Sequence, residues 1–135
     1  MSATNGTGAL ALGAMREVAA AALAPVVDSD PTVHPAPVDA THPPSIILSY
    51  DDPWLTPLGM GCLYECRLEV ICVAARVEPE PNYAALDELV AYVLSRLAED
   101  AHPWPAELTS APRRLPIGGV EYLAARIVYR VRVSL

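Results

Sequence analysis

Three cysteines, Cys62, Cys66 and Cys72, are the first candidates for chemistry, because thiolates are strong ligands for zinc. All three have the same parity in a segment that is predicted to be a strand. A strand rises about 3.3 Å per residue, so Cys66 and Cys72 would lie about 20 Å apart and could not bind one ion. We therefore expect buried, structural thiols that behave as small apolar side chains.

Other polar groups are of the right types for catalysis or metal binding but lack the right spacing. His34, Asp39 and His42 lie in one loop, and their spacing matches no zinc motif. Asp51 and Asp52 could form an acid–base pair, but adjacent carboxylates before a proline are more typical of a solvated turn.

Motifs for phosphate binding and nucleophilic catalysis do not occur in this sequence. Gly118-Gly119 precedes a strand rather than a helix, so it offers no helix N-terminus to an anion and is predicted to be a tight turn. None of the serines stands in a nucleophile elbow. The sequence thus predicts no catalytic residue, no metal and no cofactor, and it places function in the surfaces of the protein.

The composition is that of one small acidic globular domain. The chain has 135 residues, 53% of them hydrophobic, and a net charge of −7. This charge argues against general binding of DNA phosphates, which requires a basic surface. An odd number of cysteines and a polar N-terminus without a signal peptide predict a reducing compartment. Arg16 and Glu17 interrupt the Ala-rich stretch 9–27, which makes it a poor membrane span.

Hydrophobic periodicity predicts an α+β fold. Apolar residues at helical spacing indicate an amphipathic helix at 82–98, and an Ala-rich run indicates a helix at 8–24. Period-two alternation indicates long strands at 62–76 and 121–134. A short strand is predicted at 46–50, and a weak strand or hairpin arm at 106–117. We expect a two-layer sandwich, with a mainly antiparallel sheet and both helices on one face.

Charged residues on the two long strands predict that these strands pair. Arg126, Arg130 and Arg132 form a row of guanidiniums on one face of the last strand. Glu65 and Glu69 lie on the face of strand 62–76 that would match this row if the strands are antiparallel neighbours. Exposed pairs of this kind contribute only about 0.2–1 kcal/mol each, so they would set the register more than the stability.

Two loops are the predicted contact surfaces. The segment 25–45 is rich in proline and poor in apolar residues, so we expect an extended loop with little to pack against in its own subunit. The segment 51–59 is predicted to be a turn-rich loop with Trp54 as an aromatic anchor. The candidate interface residues are Pro35, Pro37, Asp51, Asp52, Trp54, Arg113, Arg114, Arg126, Arg130 and Arg132.

Several segments together resemble a known family. A Pro-Pro entry to a strand, Pro43-Pro44-Ser45-Ile46-Ile47-Leu48, is followed by the acidic–Pro–aromatic segment Asp51-Asp52-Pro53-Trp54-Leu55. A helix then begins near Asn82, and Ile117-Gly118-Gly119-Val120-Glu121-Tyr122-Leu123 opens the last strand. From about residue 15 onwards, the chain resembles the tail terminator proteins of long-tailed, siphovirus-type bacteriophages, particularly those of actinobacterial hosts.

The resemblance implies a structural virion protein of the tail and neck, assembled in the host cytoplasm. Such a protein forms a homo-oligomeric ring, expected to be a hexamer, on the major tail tube protein. It ends tube polymerisation and meets the head–tail connector or stopper protein, while DNA passes through without specific binding. An acidic lumen suits this role because it repels phosphates. The resemblance implies no catalytic residue, no cofactor and no membrane.

Two other functions fit the same residues. One is a head-closure or connector protein of the neck, and the other is a cytosolic ligand-binding or enzymatic α+β domain. The position of the protein in a particle separates the first from a terminator. A monomer with an enclosed polar pocket would favour the second.

Overall fold

The computed structural model describes residues 8–25, 31–59, 61–99 and 106–135 of the chain. Within these ranges it contains two helices and six strands. In chain order they are α1 (Gly8–Leu23), β1 (Thr32–His34), β2 (Ser45–Pro57), β3 (Leu63–Arg76), α2 (Tyr83–Ala98), β4 (Ala106–Thr109), β5 (Arg113–Ile117) and β6 (Val120–Ser134).

The strands form one sheet with the order β1-β2-β3-β6-β4, and β5 also pairs with β6. Only β1 and β2 run parallel, and the other pairs are antiparallel. Both helices contribute side chains to one core on the same face of the sheet. The expected two-layer α+β sandwich is therefore confirmed, and we call the helix-bearing side the inner face and the other side the outer face.

The predicted pairing of the two long strands is confirmed. β3 and β6 are antiparallel neighbours from Leu63 opposite Ser134 to Arg76 opposite Tyr122. Alternate side chains of each strand point to the inner face, where those of Cys66, Leu68 and Cys72, among others, are completely buried. This alternation follows from the pleat of a strand, which turns successive side chains to opposite faces.

Helix α2 buries one stripe against the sheet. Leu86, Leu89, Val93 and Leu97 are its buried residues, at the spacing predicted from the sequence. The Asn82 side chain caps the N-terminus by accepting a hydrogen bond of 3.1 Å from the backbone N–H of Ala85.

Hydrogen bonds from α2 hold the C-terminal end of α1. The Tyr92 hydroxyl donates to the Leu23 carbonyl at 2.6 Å, and Arg96 donates to the carbonyls of Ala22 and Ala24 at 2.9 and 2.8 Å. The last carbonyls of a helix have no partner within the helix, so these three donors satisfy groups that would otherwise need water. Neither helix, over the residues described, has the length and apolar character of a membrane span.

The Pro-rich segment differs from the expectation. Within 31–45 it forms β1, which pairs with Ser45–Ile47 of β2, and Thr41 is buried. Residues 35–44 then cross the outer face, and we call them the crossing segment. Val38 of this segment packs on a second, small apolar cluster of Ile47, Val73, Tyr122 and Ala124. The expectation that this segment has little to pack against in its own subunit is therefore wrong for residues 31–45. Residues 26–30 lie outside the described ranges.

The second predicted loop is also different, because β2 continues through it to Pro57. Its pairing with β3 shifts between Tyr50 and Leu55 and then resumes. A bulge at this point accommodates Asp51-Asp52-Pro53-Trp54, and it lies beyond the three residues that β1 covers. Proline lacks a backbone donor and is tolerated at such edge and bulge positions, which explains why the sequence pattern suggested a loop.

Candidate functional site

The most elaborate polar arrangement lies on the outer face, where Arg126 of β6 bridges two carboxylates. Its guanidinium donates to Glu69 of β3 at 2.5 Å and to Asp51 of β2 at 2.6 Å. All three side chains are at most 20% exposed. Three strands are thus joined by one half-buried cation.

A second group of charged side chains lies next to the first, on the side towards β4. Glu107 of β4 accepts hydrogen bonds from Arg130 of β6 and from Arg67 of β3, the latter at 2.5 Å. Arg67 also lies 3.5 Å from Asp51, and Arg130 lies 3.6 Å from Glu65. We call these seven residues the outer-face ion network: Asp51, Glu65, Arg67, Glu69, Glu107, Arg126 and Arg130.

In this network, carboxylates pair with arginines of β3 and β6. Arg67 and Arg130 are directly opposite each other in the β3–β6 ladder, and Glu107 lies between these like charges. With four carboxylates and three guanidiniums, the network is not a cationic patch. Two of the three guanidiniums in the predicted row, Arg126 and Arg130, are therefore paired within the subunit, through contacts that are largely diagonal. Arg132 has no ion pair among the described residues.

Sequence reasoning missed Glu107 and Arg67 as members of this network. Glu107 comes from a four-residue strand, and its place depends on the pairing of β4 with β6. Arg67 shares the outer face of β3 with Glu65 and Glu69, so the alternation in that strand was the signal that could have found it.

The guanidiniums of Arg130 and Arg67 change the pKa of the Glu107 carboxyl group. Hydrogen bonds from Arg130 and then Arg67 lower the pKa of Glu107 from 4.5 to about 2. The ionised carboxylate therefore stabilises the fold at pH values above 4.5. This contribution is lost as the pH falls from 4.5 towards 2, because the unfolded chain takes up the proton first.

Replacement of Glu107 by Gln tests this contribution. We expect the Glu107→Gln variant to be less stable than the wild type at pH 6, with the difference narrowing as the pH falls from 4.5 towards 2. Urea unfolding at a series of pH values measures this difference. Glu99→Gln, in an exposed residue without an ion pair in the described structure, is the control. A difference that is constant from pH 6 to pH 3 would contradict the assignment.

The cysteines do not form a site. Cys66 and Cys72 are buried in the main core, as expected, but Cys62 is exposed and precedes β3, so the expectation of burial is wrong for Cys62. Burial raises the pKa of Cys66 to about 11 and that of Cys72 to about 12. Because only thiolates are good nucleophiles and ligands, both buried thiols are inert near neutral pH.

Thiol titration checks this assignment. We expect one of the three cysteines to react rapidly with an aromatic disulfide reagent at pH 8 in the native protein, and all three to react in urea. Cys62→Ser should remove the rapid phase, whereas Cys72→Ala should leave it unchanged. Rapid reaction of two or more thiols in the folded protein would show that the core is open.

A buried chain of hydroxyl groups fixes the segment that crosses the outer face. Thr41 donates to Ser45 at 2.8 Å and is hydrogen-bonded to the His34 ring at 3.0 Å. The Tyr122 hydroxyl donates to the Thr41 carbonyl at 3.1 Å. These partners pair polar groups of the crossing segment with groups of β1, β2 and β6, so the cluster is structural.

The predicted interface residues fall into two groups. Asp51, Arg126 and Arg130 belong to the outer-face ion network, where they bind residues of their own subunit. The others are exposed, and among the described residues one of them forms an ion pair, from Arg114 to Glu121 at 3.6 Å. This exposed group consists of Pro35, Pro37, Asp52, Trp54, Arg113, Arg114 and Arg132.

Trp54 packs on Tyr50 at the β2 edge of the sheet. Its ring centroid lies 4.6 Å from that of Tyr50, which packs on the main core. The Arg16 guanidinium lies 5.8 Å from the centre of the Tyr50 ring. Trp54 remains 41% exposed, and we call Tyr50 and Trp54 the aromatic knob.

An open groove of about 290 Å³ lies near the opposite edge of the sheet, also on the inner side. Leu86, Val90 and Leu94 of α2 form one wall. Pro112 and Ala125 contribute from the β4–β5 edge and from β6. We call this depression the α2 groove. Its lining is largely apolar, so it suits an apolar side chain better than a polar ligand.

Among the residues described, no group of three or more His, Cys, Asp or Glu residues could hold a metal ion. A scan against protein-family models finds no match to this chain, and a search of curated proteins finds none either.

Proposed function

We propose that this chain is a tail terminator of a long-tailed bacteriophage: a virion protein that caps the tail tube, ends its polymerisation and forms the joint to the head–tail connector. The observation that carries the proposal is the placement of the motifs of the resemblance. Pro43-Pro44 leads into β2, Asp51-Asp52-Pro53-Trp54 forms the bulge of β2, and Gly118-Gly119 is the turn into β6.

The surfaces support an assembly role. Beyond its three residues paired with β1, the outer edge of β2 has no strand partner among the described residues. Trp54 is exposed beside this edge, and aromatic side chains of this kind dominate protein interfaces. An unpaired edge with an aromatic anchor fits a subunit that meets other subunits better than it fits an isolated domain.

The charge supports passage of DNA. The chain carries a net charge of −7, and Arg67, Arg126 and Arg130 of the outer face are paired with its own carboxylates. A ring built from such subunits repels phosphates and lets DNA slide without specific binding.

Loss of the protein in a phage that encodes it tests the proposal. A terminator limits tube growth, so we expect over-long tails without heads in electron micrographs after the reading frame is interrupted. Supplying the chain from a plasmid should restore tails of normal length.

Two other results would identify the alternatives. Tails of normal length beside full, unjoined heads would indicate a head-closure or connector protein of the neck. Normal particles would indicate a protein that acts outside the virion, such as a cytosolic ligand-binding domain. Either result overturns the terminator proposal.

A further inference from the structure

The aromatic knob and the α2 groove lie at opposite edges of the same sheet. The knob belongs to β2, and the groove is bordered by β4, β5 and α2, with β3 and β6 between them in the strand order. Tyr50 of the knob packs on the main core, and α2 lines the groove, so both features adjoin the inner face. A knob and a groove on opposite edges cannot meet within one subunit, but they can meet between two copies that lie side by side.

The chemistry of the two features is complementary. Trp54 offers a large apolar ring that is 41% exposed, and the groove offers apolar walls from Leu86, Val90 and Leu94. Its volume of about 290 Å³ accommodates one aromatic side chain. An aromatic ring entering such a pocket is the usual form of an interface hot spot.

The charges beside the two features are complementary as well. Arg16 lies against the knob, and its buried Nε atom has no hydrogen-bond partner in the described structure. Asp87 lines the groove, is exposed and has no ion pair among the described residues. The charges beside the knob and in the groove are therefore opposite, as suits a contact between the knob of one copy and the groove of the next.

We infer that copies of this chain associate head to tail, with the aromatic knob of one copy in the α2 groove of the next and with Arg16 facing Asp87. The inference deepens the proposed ring-forming role, on which it rests for the identity of the partner. Such a contact is heterologous: every copy presents one knob and one groove, so association closes into a ring or continues as a chain.

Two single variants block the two halves of the contact. Trp54→Ala removes the knob, and Ala91→Arg places a long cationic side chain at the exposed, groove-lining position of Ala91. We expect each variant of the full chain to self-associate at least about tenfold more weakly than the wild type in sedimentation velocity. The matched controls are Tyr83→Ala, at another exposed aromatic residue, and Ser95→Arg, at an exposed α2 position outside the groove. Both controls should associate like the wild type.

Mixing the two blocked variants is the decisive experiment. The Ala91→Arg variant keeps an intact knob, and the Trp54→Ala variant keeps an intact groove. In an equal mixture, the knob of the first can therefore bind the groove of the second, and neither variant can form a further contact. We expect a 1:1 heterodimer, with twice the 14.4 kDa mass of one chain, and no larger species. The wild type should form species larger than a dimer. Arg16→Glu should weaken association, and the double variant Arg16→Glu/Asp87→Arg should restore it.

Several results would overturn the inference. They are a wild type that remains monomeric at all concentrations, self-association that stops at a dimer, and blocked variants that assemble like the wild type or fail to form the heterodimer. Circular dichroism and thermal unfolding of each variant distinguish loss of contact from loss of fold. None of these results decides whether the protein ends tail growth, which the tail-length experiment measures separately.

Discussion

The Gly118→Ala variant is expected to lose about 3–5 kcal/mol of folding free energy, an unusually large effect for the addition of one methyl group. Gly118 has a φ of +58°, and a Cβ at this position would lie 2.5 Å from the backbone carbonyl oxygen of Asp39. The left-handed conformation alone costs an L-residue about 1–2 kcal/mol. The remainder comes from the clash, because a backbone atom of the crossing segment must move rather than a flexible side chain.

Gly119 provides the matched control in the same turn. It also has a positive φ, of +82°, but nothing lies within 4 Å of a Cβ built there. Gly119→Ala should therefore lose only the conformational part, about 1–2 kcal/mol. Chemical denaturation of both variants measures the difference. Equal losses in the two variants would show that the crossing segment does not rest on this turn.

The second large effect is expected at Arg126. Replacement of Arg126 by Met leaves the carboxylates of Glu69 and Asp51 without the cation that joins them. Removing one partner of a buried ion pair costs about 3–5 kcal/mol, and we expect about 2–3 kcal/mol here because these side chains retain 16–20% exposure. Urea unfolding at pH 7 is the measurement.

Two further variants make this test specific. Arg132→Met removes an exposed guanidinium that has no ion pair in the described structure, so it should change stability by less than about 0.5 kcal/mol. The triple variant Arg126→Met/Glu69→Gln/Asp51→Asn has no uncompensated charge at this point and should recover much of the loss. A triple variant as unstable as Arg126→Met would show that packing of the arginine stem, rather than charge, is responsible.

The outer-face ion network and the crossing segment both lie on the outer face of the sheet. The small apolar cluster lies under the crossing segment near the turn into β6, and the ions follow along β3 and β6. The aromatic knob and the α2 groove lie instead next to the helices, near the two lateral edges of the sheet. The proposed lateral contact therefore uses surfaces that are not already covered within the subunit.

The amino-acid sequence determined the features that depend on local periodicity. Alternation of apolar and polar residues placed β3 and β6 and distinguished their buried faces from their charged faces. The 3.6-residue spacing of Leu86, Leu89, Val93 and Leu97 placed α2 and its buried stripe. These patterns are readable because a strand or a helix exposes each side chain to a face that its own position fixes.

The tertiary structure decided what depends on contacts between distant segments. Proline and aspartate read locally as loop residues, yet Asp51 lies in a strand because β3 offers pairing on both sides of the bulge. Tyr122 holds the crossing segment through Val38 and Thr41. Gly118 lies against the backbone of Asp39 in the same segment. Both Tyr122 and Gly118 are far from this segment in sequence. Glu107 meets Arg67 and Arg130 only because β4 pairs with β6. No local sequence pattern encodes these contacts between distant residues, because they depend on which strands become neighbours in the sheet.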